Sequence, residues 1–478
     1  MSKDDPLSLM APEARGGDVA EGGFRSQDHL TIARIPGWLA EDGFTGMIRE
    51  AHGDAEASFH VPGTGLTREF VEYKDYEIQP ANLREEVARF RRMAEKTGKA
   101  YRRFVLSSRG HSPQLRPMHA ALQRVRGALP FYADVPAVAD ASYADYKTAA
   151  SKVDLDGDAA QFLFERVVLE PEAPAAETLA AALFDEAMRR EFPSTADASG
   201  RQMVLARQAL ADLVVSHKAK PVSRTQILDA IACGLPDIAS VLLAAPLRLH
   251  TFINAAENRE PGSIPMNWTA FFGGDARQYP PPAKWDHQVI GDLAAFRDWV
   301  IASGRTRSIV LSGNRRLSAS VAIGRVLSAV AGFRVTLQYR GEKWRTDSYA
   351  PSNEETYPWH EEYQPGEVSG GELTVGIGIL NDVQQAVSAH LDCIQARTAR
   401  LFLFSAVPLT SDAHANEAVN LAKAAIQRAL QRSGARRISL FLASPAHFAL
   451  FLGHRLNATA PVTCHERGDG NYVATCSC

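Results

Sequence analysis

A chain of 478 residues is long enough for two or three domains, each with its own core. Apolar residues make up 45% and charged residues 22%, a balance that excludes disordered and fibrous classes. The formal net charge of -3 excludes a wholly basic nucleic-acid binder, so any DNA-binding surface must be local.

The first residues, MSKDDPLSLM, are polar and acidic, and we expect no secretory signal. The most apolar stretch, 227–253, is interrupted by Asp229, Pro236, Asp237, Pro246 and Arg248, which argues against a membrane span. Cys233, Cys393, Cys464, Cys476 and Cys478 form no C-x-x-C pair, so a reducing cytoplasm is expected rather than a disulfide scaffold. Cys464, His465, Cys476 and Cys478 match no common zinc spacing, and the alternation around them reads as strand.

In chain order, residues 1–23 are glycine-rich and polar. An amphipathic stretch runs from Gln27 to Trp38, and a second helix is expected around 43–52. Glu56–Pro62 and Leu66–Lys74 read as strands joined by a turn at Gly63-Thr64-Gly65. Asn82–Thr97 reads as a helix stopped by Gly98, and Arg103–Ser107 as a buried strand. From about 112 to 240 the pattern is helical, with one strand-like run at Gln161–Leu169. Pro and Gly cluster over 261–282, as in a hinge. Beyond it strands and helices alternate: Ser308–Leu311, Arg334–Tyr339, Leu373–Leu380, Leu401–Ala406, Ile438–Leu442 and a final pair of strands. Such alternation predicts an α/β region with a largely parallel sheet, in two comparable halves divided by the polar loop 346–371.

The sharpest chemical signal is Asp54 followed by Glu72-Tyr73-Lys74. Phosphodiester hydrolysis needs a divalent cation, an activated water and positive charge on the transition state. Carboxylates suit Mg²⁺ (or Mn²⁺), and a lysine two positions along a strand shares their face. A three-residue turn at 63–65 would set Asp54 opposite Lys74 and Glu56 opposite Glu72, all on one side. An E-x-K tripeptide alone is common on solvated edge strands; its flanks strengthen it here. Between Arg84 and Arg126 stand twelve Lys and Arg against three acids, an excess that suits a phosphate backbone, with Arg84, Arg91, Arg92 and Lys96 as candidate DNA contacts. The competing reading is a charged surface helix paired with acids elsewhere. No base-reading motif is present, so little sequence specificity is expected.

The segments GGFRSQ, GDAEASFHV and EFVEYKDYEI resemble the restriction-endonuclease-like, PD-(D/E)xK, nuclease domain of bacterial anti-phage effectors. The resemblance implies an α/β/α nuclease over about 20–130 with a helical extension over about 130–240, the catalytic set Asp54, Glu72 and Lys74, and a supporting Gln27. No proline precedes Asp54, and Asp54 and Glu56 both remain open as primary metal ligand beside Glu72.

In the second half, Ser312-Gly313-Asn314-Arg315-Arg316 follows a strand and joins a glycine, backbone donors at a helix start and two guanidinium groups, as a phosphate cradle would. Asn381-Asp382 and the loop containing Pro408 follow other strands. Aromatic side chains with nearby cations occur at Trp268, Phe271, Lys284-Trp285 and Lys343-Trp344-Arg345; the last is the best base-stacking candidate, since each Trp is otherwise a core residue.

SPAHFALFLGHRLNATAPVTCHERGDGNYVATCSC, with NWTAFFGGD and SGNRRLSAS, resembles SAVED domains. This implies a sensor over 245–478 of two fused CARF-like (Rossmann-like) subdomains, binding a cyclic oligonucleotide, most often a trinucleotide, made during phage infection (CBASS immunity). The motif from Gly453 to Asn457 is then a fold-building one, and His447 and His454 are helix residues rather than metal ligands. The expected whole is a nuclease domain over 1–240 that oligomerises on ligand binding and degrades double-stranded DNA in the cytoplasm. A ligand-controlled DNA-binding regulator without cleavage is the rival. The sequence holds no G-x-S-x-G or HExxH to support another chemistry.

Overall fold

A computed structural model describes residues 21–477 except 133–134, 174–176, 255–259, 275–277, 340, 350–355, 367–370, 458 and 469. The chain divides into two units, Met1–Ala244 and Ala245–Cys478. The glycine- and proline-rich stretch 261–282 therefore lies inside the second unit and is not the hinge between them.

In the first unit, helix α1 (Glu21–Leu39) leads into strands β1 (Phe44–Arg49), β2 (Ala55–Val61) and β3 (Gly65–Ile78). Helix α2 (Pro80–Thr97), strand β4 (Tyr101–His111), helices α3 (Arg116–Ala128), α4 (Pro136–Ser151) and α5 (Gly157–Arg166) and strand β5 (Val167–Pro171) follow. Helices α6 (Glu177–Glu191) and α7 (Gly200–Ser216), strand β6 (Pro221–Ser223), and helices α8 (Arg224–Ala232) and α9 (Pro236–Ala244) complete it. The sheet runs β5-β4-β3-β2-β1-β6. Its β3, β4 and β5 are parallel, whereas β1, β2 and β3 form an antiparallel meander.

Alternation along β3 sends Phe70 to one face, with α2 to α5, and Val71 and Tyr73 to the other, with α1 and the later helices. The unit is thus a three-layer α/β/α structure, and the helical segment after β4 covers both faces. The helix expected at 43–52 is strand β1. Its short apolar run carries no length signal, and pairing with β2 decides its state. The strand-like run at 161–169 is the end of α5 and the start of β5.

In the second unit, β7 (Leu247–Phe252), β8 (Ile264–Asn267), α10 (Gly291–Ala302), β9 (Ser308–Gly313), α11 (Leu317–Val326), β10 (Arg334–Tyr339) and β11 (Glu342–Arg345) build one half. The other comprises β12 (His360–Gln364), β13 (Glu372–Ile379), α12 (Gln384–Cys393), β14 (Ala399–Ser405), α13 (Asp412–Ser433), β15 (Arg437–Ala443), α14 (Ala446–Arg455), β16 (Val462–Arg467) and β17 (Tyr472–Ser477). Their sheets run β11-β10-β9-β7-β8 and β12-β14-β13-β15-β16-β17, parallel except for the edge strands β11, β12 and β17. Strand β12 lies within the stretch read from sequence as a polar loop.

One apolar core runs through both halves. They meet where α11 crosses α14 backbone to backbone. A Cβ on Gly324 would stand 2.1 Å from the Leu450 carbonyl oxygen, and one on Gly453 2.2 Å from that of Val321. The Gly453–Asn457 motif builds this seam: His454 Nε2 hydrogen-bonds the Phe333 carbonyl at 3.0 Å, and Arg455 donates to the Thr346 carbonyl at 2.8 Å.

Candidate active site and ligand pocket

The hairpin turn between β2 and β3 is Pro62-Gly63-Thr64, because Val61 pairs with Gly65. The register therefore differs by two residues from the expected one. Ala55 faces Val71, which sets Asp54 opposite Glu72 rather than Lys74, and Glu56 opposite Phe70. An even shift preserves the faces, so Asp54, Glu72 and Lys74 still share a side.

On that side charges close on one another. Lys74 Nζ donates to Glu72 Oε1 at 2.8 Å and lies 2.8 Å from Glu86 Oε1 on α2. Arg89, one helical turn after Glu86, lies 2.7 Å from Glu72 Oε2 and 2.9 Å from Glu86 Oε2. The Tyr73 main-chain N–H donates to Asp54 Oδ2 at 2.6 Å. Burial pushes the Asp54 carboxyl up to about 8, and the facing Glu72 adds to this. Glu72 is also penalised by burial, but Arg89 and Lys74 outweigh that and hold it below the usual carboxylate range. Lys74 is held above the ordinary lysine range because Glu72 and Glu86 overcome its desolvation.

The two facing carboxyls are thus pushed apart: burial and the facing Glu72 drive Asp54 up, whereas Arg89 and Lys74 outweigh burial and draw Glu72 down. A divalent cation would let both ionise. Among the described residues no three His, Cys, Asp or Glu side chains gather as a ligand cluster. Of the expected set Asp54, Glu56 and Glu72, only Asp54 and Glu72 face each other across the hairpin. Glu56 instead accepts from the His52 main-chain N–H at 3.3 Å and the Tyr101 hydroxyl at 3.2 Å. Two carboxylates suit Mg²⁺, which commonly keeps water and takes substrate phosphate oxygens as its other ligands.

Gln27 is half-buried on α1, four residues before Thr31, which hydrogen-bonds the Tyr73 hydroxyl. Arg34 of the same helix donates to that hydroxyl at 3.1 Å and pairs with Glu170. Tyr73 points away from Glu72 and Lys74, so α1 backs the opposite face of the catalytic strand. Among the described residues no hydrogen bond joins Gln27 to the charged cluster. Sequence reasoning missed Glu86, whose signal was its spacing to Arg89 on a helix that follows the motif strand.

Much of the basic excess is spent inside the unit. Arg84 pairs with Asp154 at 3.1 Å, and Arg91 lies near Glu95, Asp156 and Asp158. Arg102 binds Glu41, Arg103 binds Glu69, and Arg126 donates to main-chain carbonyls around Leu163–Val167. Arg92 and Lys96 of the candidate DNA set are exposed, as are Arg109 and Arg116. Arg109 follows Ser108, the register partner of Lys74, at the carboxyl end of β4.

In the second unit, Arg315 and Arg316 line a pocket of about 700 Å³ together with Phe272, Tyr279, Leu442, His465, Glu466 and Arg467. The loop after β9 is not the open phosphate cradle expected. Arg315 Nη1 is turned onto Thr251 Oγ1 and the Ser312 and Gly313 carbonyls at 3.0–3.2 Å. The Ser312 hydroxyl bonds Glu260 and His250. At the start of α11 the Ser318 N–H donates to Glu466 Oε1 at 3.0 Å, so a carboxylate from β16 already caps that helix. Burial raises the Glu466 carboxyl despite that bond and the neighbouring Arg316.

The other expected ligand residues do not line this pocket. Asn314, Lys343, Arg345 and Pro408 are exposed elsewhere on the described surface. The Trp344 ring is stacked on His447 with centroids 3.8 Å apart, so that face is filled by a neighbour. Arg345 pairs with Asp412 at 3.1 Å. Trp268, Phe271 and Trp285 are core residues. Phe272, Tyr279 and Glu466 were missed from sequence; Glu466 lies about 190 positions after the other two.

Residues 292–477 match the family model described as "SMODS-associated and fused to various effectors sensor domain", SAVED. The second unit is thus similar to SAVED sensor domains over those residues. The chain is similar along nearly its whole length to CD-NTase-associated protein 4 of Moraxella osloensis, 23% identical over 470 residues and covering 98% of each chain. The corresponding protein of an Acinetobacter species is 22% identical over the same share. Among solved structures, the Acinetobacter baumannii Cap4 SAVED/CARF-domain receptor with the cyclic trinucleotide 3'3'3'-cAAA has the same fold. Its TM-score is 0.78 at 20% identity, covering 96% of this chain and 99% of that one. The Moraxella osloensis Cap4 receptor aligns with a TM-score of 0.74 at 20% identity, over 96% and 100%. No described helix is long and apolar enough to cross a membrane.

Proposed function

We propose that this chain is a CBASS effector: a restriction-endonuclease-like, metal-dependent DNA endonuclease switched on by a cyclic oligonucleotide, most often a trinucleotide, bound in its SAVED domain. The observation that carries the nuclease reading is Asp54 facing Glu72 with the Lys74 ammonium 2.8 Å from Glu72 on one face of β3. Bound Mg²⁺ or Mn²⁺ would supply a Lewis acid that stabilises the charge developing on the phosphate. Asp54 and Glu72 would hold it. Lys74, released from Glu86, would orient the attacking water or neutralise a phosphate oxygen. Arg89 keeps Glu72 ionised and ready for the cation. Exposed Arg92, Lys96, Arg109 and Arg116 would meet the backbone of double-stranded DNA without reading bases.

The sensor reading is supported by the SAVED match and by the similarity to Cap4 receptors, one of which holds a cyclic tri-adenylate. Ligand acts by favouring an assembled, active state of the chain over the free one; equal affinity for both would switch nothing. The setting is the bacterial cytoplasm. The test is plasmid cleavage with Mg²⁺, with and without a panel of cyclic di- and trinucleotides, beside Lys74→Ala protein. Ligand-dependent degradation that Lys74→Ala abolishes is expected. A ligand that binds without cutting would leave a DNA-binding regulator, and cleavage by dilute ligand-free protein would overturn the switch.

A further inference from the structure

Arg316 lies against two rings in the sensor pocket: its guanidinium carbon is over Phe272 and Tyr279, 4.5 Å from each ring centroid. That fixes the plane of its donors. One of them, Nη1, is buried and has no hydrogen-bond partner. Its nearest anion is Glu466 Oε2 at 3.7 Å, too far for a hydrogen bond. The other Glu466 oxygen is committed to the Ser318 N–H at 3.0 Å. The pocket wall therefore presents one unused donor beside a carboxylate that already accepts from Ser318.

A buried donor left unpaired is destabilising, so a ligand that completes the pair is favoured. A phosphate does not complete it, because its oxygens would meet the carboxylate of Glu466. A base edge with a ring-nitrogen acceptor next to an exocyclic amine does. Adenine offers N7 beside its amine, the pattern that a carboxamide side chain reads in DNA. Resting on the assignment of the second unit as a cyclic-oligonucleotide sensor, we infer that Arg316 and Glu466 read an amino-bearing base edge of that ligand and fix its base specificity. Arg316 donates to the ring nitrogen, and Glu466 accepts from the amine.

In Glu466→Gln the amide oxygen still accepts from Ser318, but an N–H₂ now faces the pocket where an acceptor stood. Binding would be measured by calorimetry on the full chain, with cyclic tri-adenylate and with the cyclic trinucleotide of purine riboside, which lacks the amine. Wild type is expected to lose about tenfold in affinity, or more, on loss of the amine. Glu466→Gln should lose as much for tri-adenylate and nothing further for the amine-free ligand. The analogue arm needs no variant, so misfolding of Glu466→Gln cannot hide the answer. Equal binding of both ligands by wild type, additive losses, or tighter binding by Glu466→Gln overturns the inference. The last outcome would mark a phosphate seat plugged by Glu466. Failure of wild type to bind any cyclic trinucleotide overturns the sensor assignment instead.

Discussion

Charge is handled in opposite ways at the two sites. In the first unit, Glu72, Lys74, Glu86 and Arg89 are joined by ion pairs of 2.7–2.9 Å into a closed ring, with Asp54 outside it and its carboxyl pushed up by burial. In the second, Arg316 and Glu466 face each other without bonding, and a donor is left over. On the proposed function, a closed ring would have to be opened by a cation and a phosphate before it could work, which suits an enzyme held idle. A half-satisfied pair is open to a ligand from the start, which suits a sensor.

The largest expected effect breaks the first site alone. Lys74→Ala should cut DNA cleavage by about a thousandfold, the scale of losing one preorganised transition-state contact. Because the two sites lie in separate units and share no residue, cyclic-trinucleotide affinity in the same protein should stay within about a factor of three. Parallel calorimetry and plasmid digestion read both, and a matching loss of affinity would show that the comparison is not between separable sites.

The reverse experiment breaks the second site alone. Gly453→Val places a branched side chain where even a Cβ stands 2.2 Å from the Val321 carbonyl oxygen. Overpacking of this kind costs about 1–3 kcal/mol, or roughly 2–12 °C in the melting of a unit this size. Scanning calorimetry should show that loss, and binding of the cyclic trinucleotide should fall with it. An unchanged melting curve would mean that the α11–α14 crossing is looser than its backbone contacts imply.

The comparison also explains what could be read beforehand. Glu72 and Lys74 are two apart on one strand, so their shared face was legible, and it survived a two-residue register error because the error was even. The partners Glu86 and Arg89 were visible only as members of a charged helix. Acids 154–158 neutralise Arg84 and Arg91 from more than 60 positions away, and nothing local announces that. The alternation of the second unit was legible for the same reason as β3: strand and helix periods are local. Strand β1 was not, since six residues fit either period. Glu466 caps a helix from 148 positions away, a pairing that only the fold creates.

A smaller effect sharpens the account of the ring. Glu86→Gln removes a charge that shares Lys74 and Arg89 with Glu72 but touches no reacting atom. Supporting residues of this type are worth about 10–100-fold. We expect a loss near the lower end in the cleavage rate constant, with the DNA concentration for half-maximal rate unchanged. A change confined to that concentration would place Glu86 in DNA binding instead.

The smallest effect is on stability and depends on pH. Asp54 has an ordinary value of 3.8 when unfolded and is pushed up to about 8 when folded. Between those values the folded chain binds the proton that the unfolded chain has released. This contribution is therefore present at low pH and is lost as pH rises through about 8. Asp28, raised to about 6 by burial against the pull of Arg49, acts in the same direction but is spent at lower pH. The buried His60, His111, His447, His454 and His465, all lowered to about 4, act oppositely and only below their ordinary value of 6.5. The interval from about pH 7 to 8.5 lies above these, and Asp54→Asn separates Asp54 from the buried Glu466, whose carboxyl is also raised. In EDTA the melting temperature of wild type should fall across it, and that of Asp54→Asn should fall less. Mg²⁺ should restore wild type most at the alkaline end, where the cation no longer has to displace a proton, and should do little for the variant. If Mg²⁺ instead raised both proteins equally, the cation would be binding somewhere other than between Asp54 and Glu72.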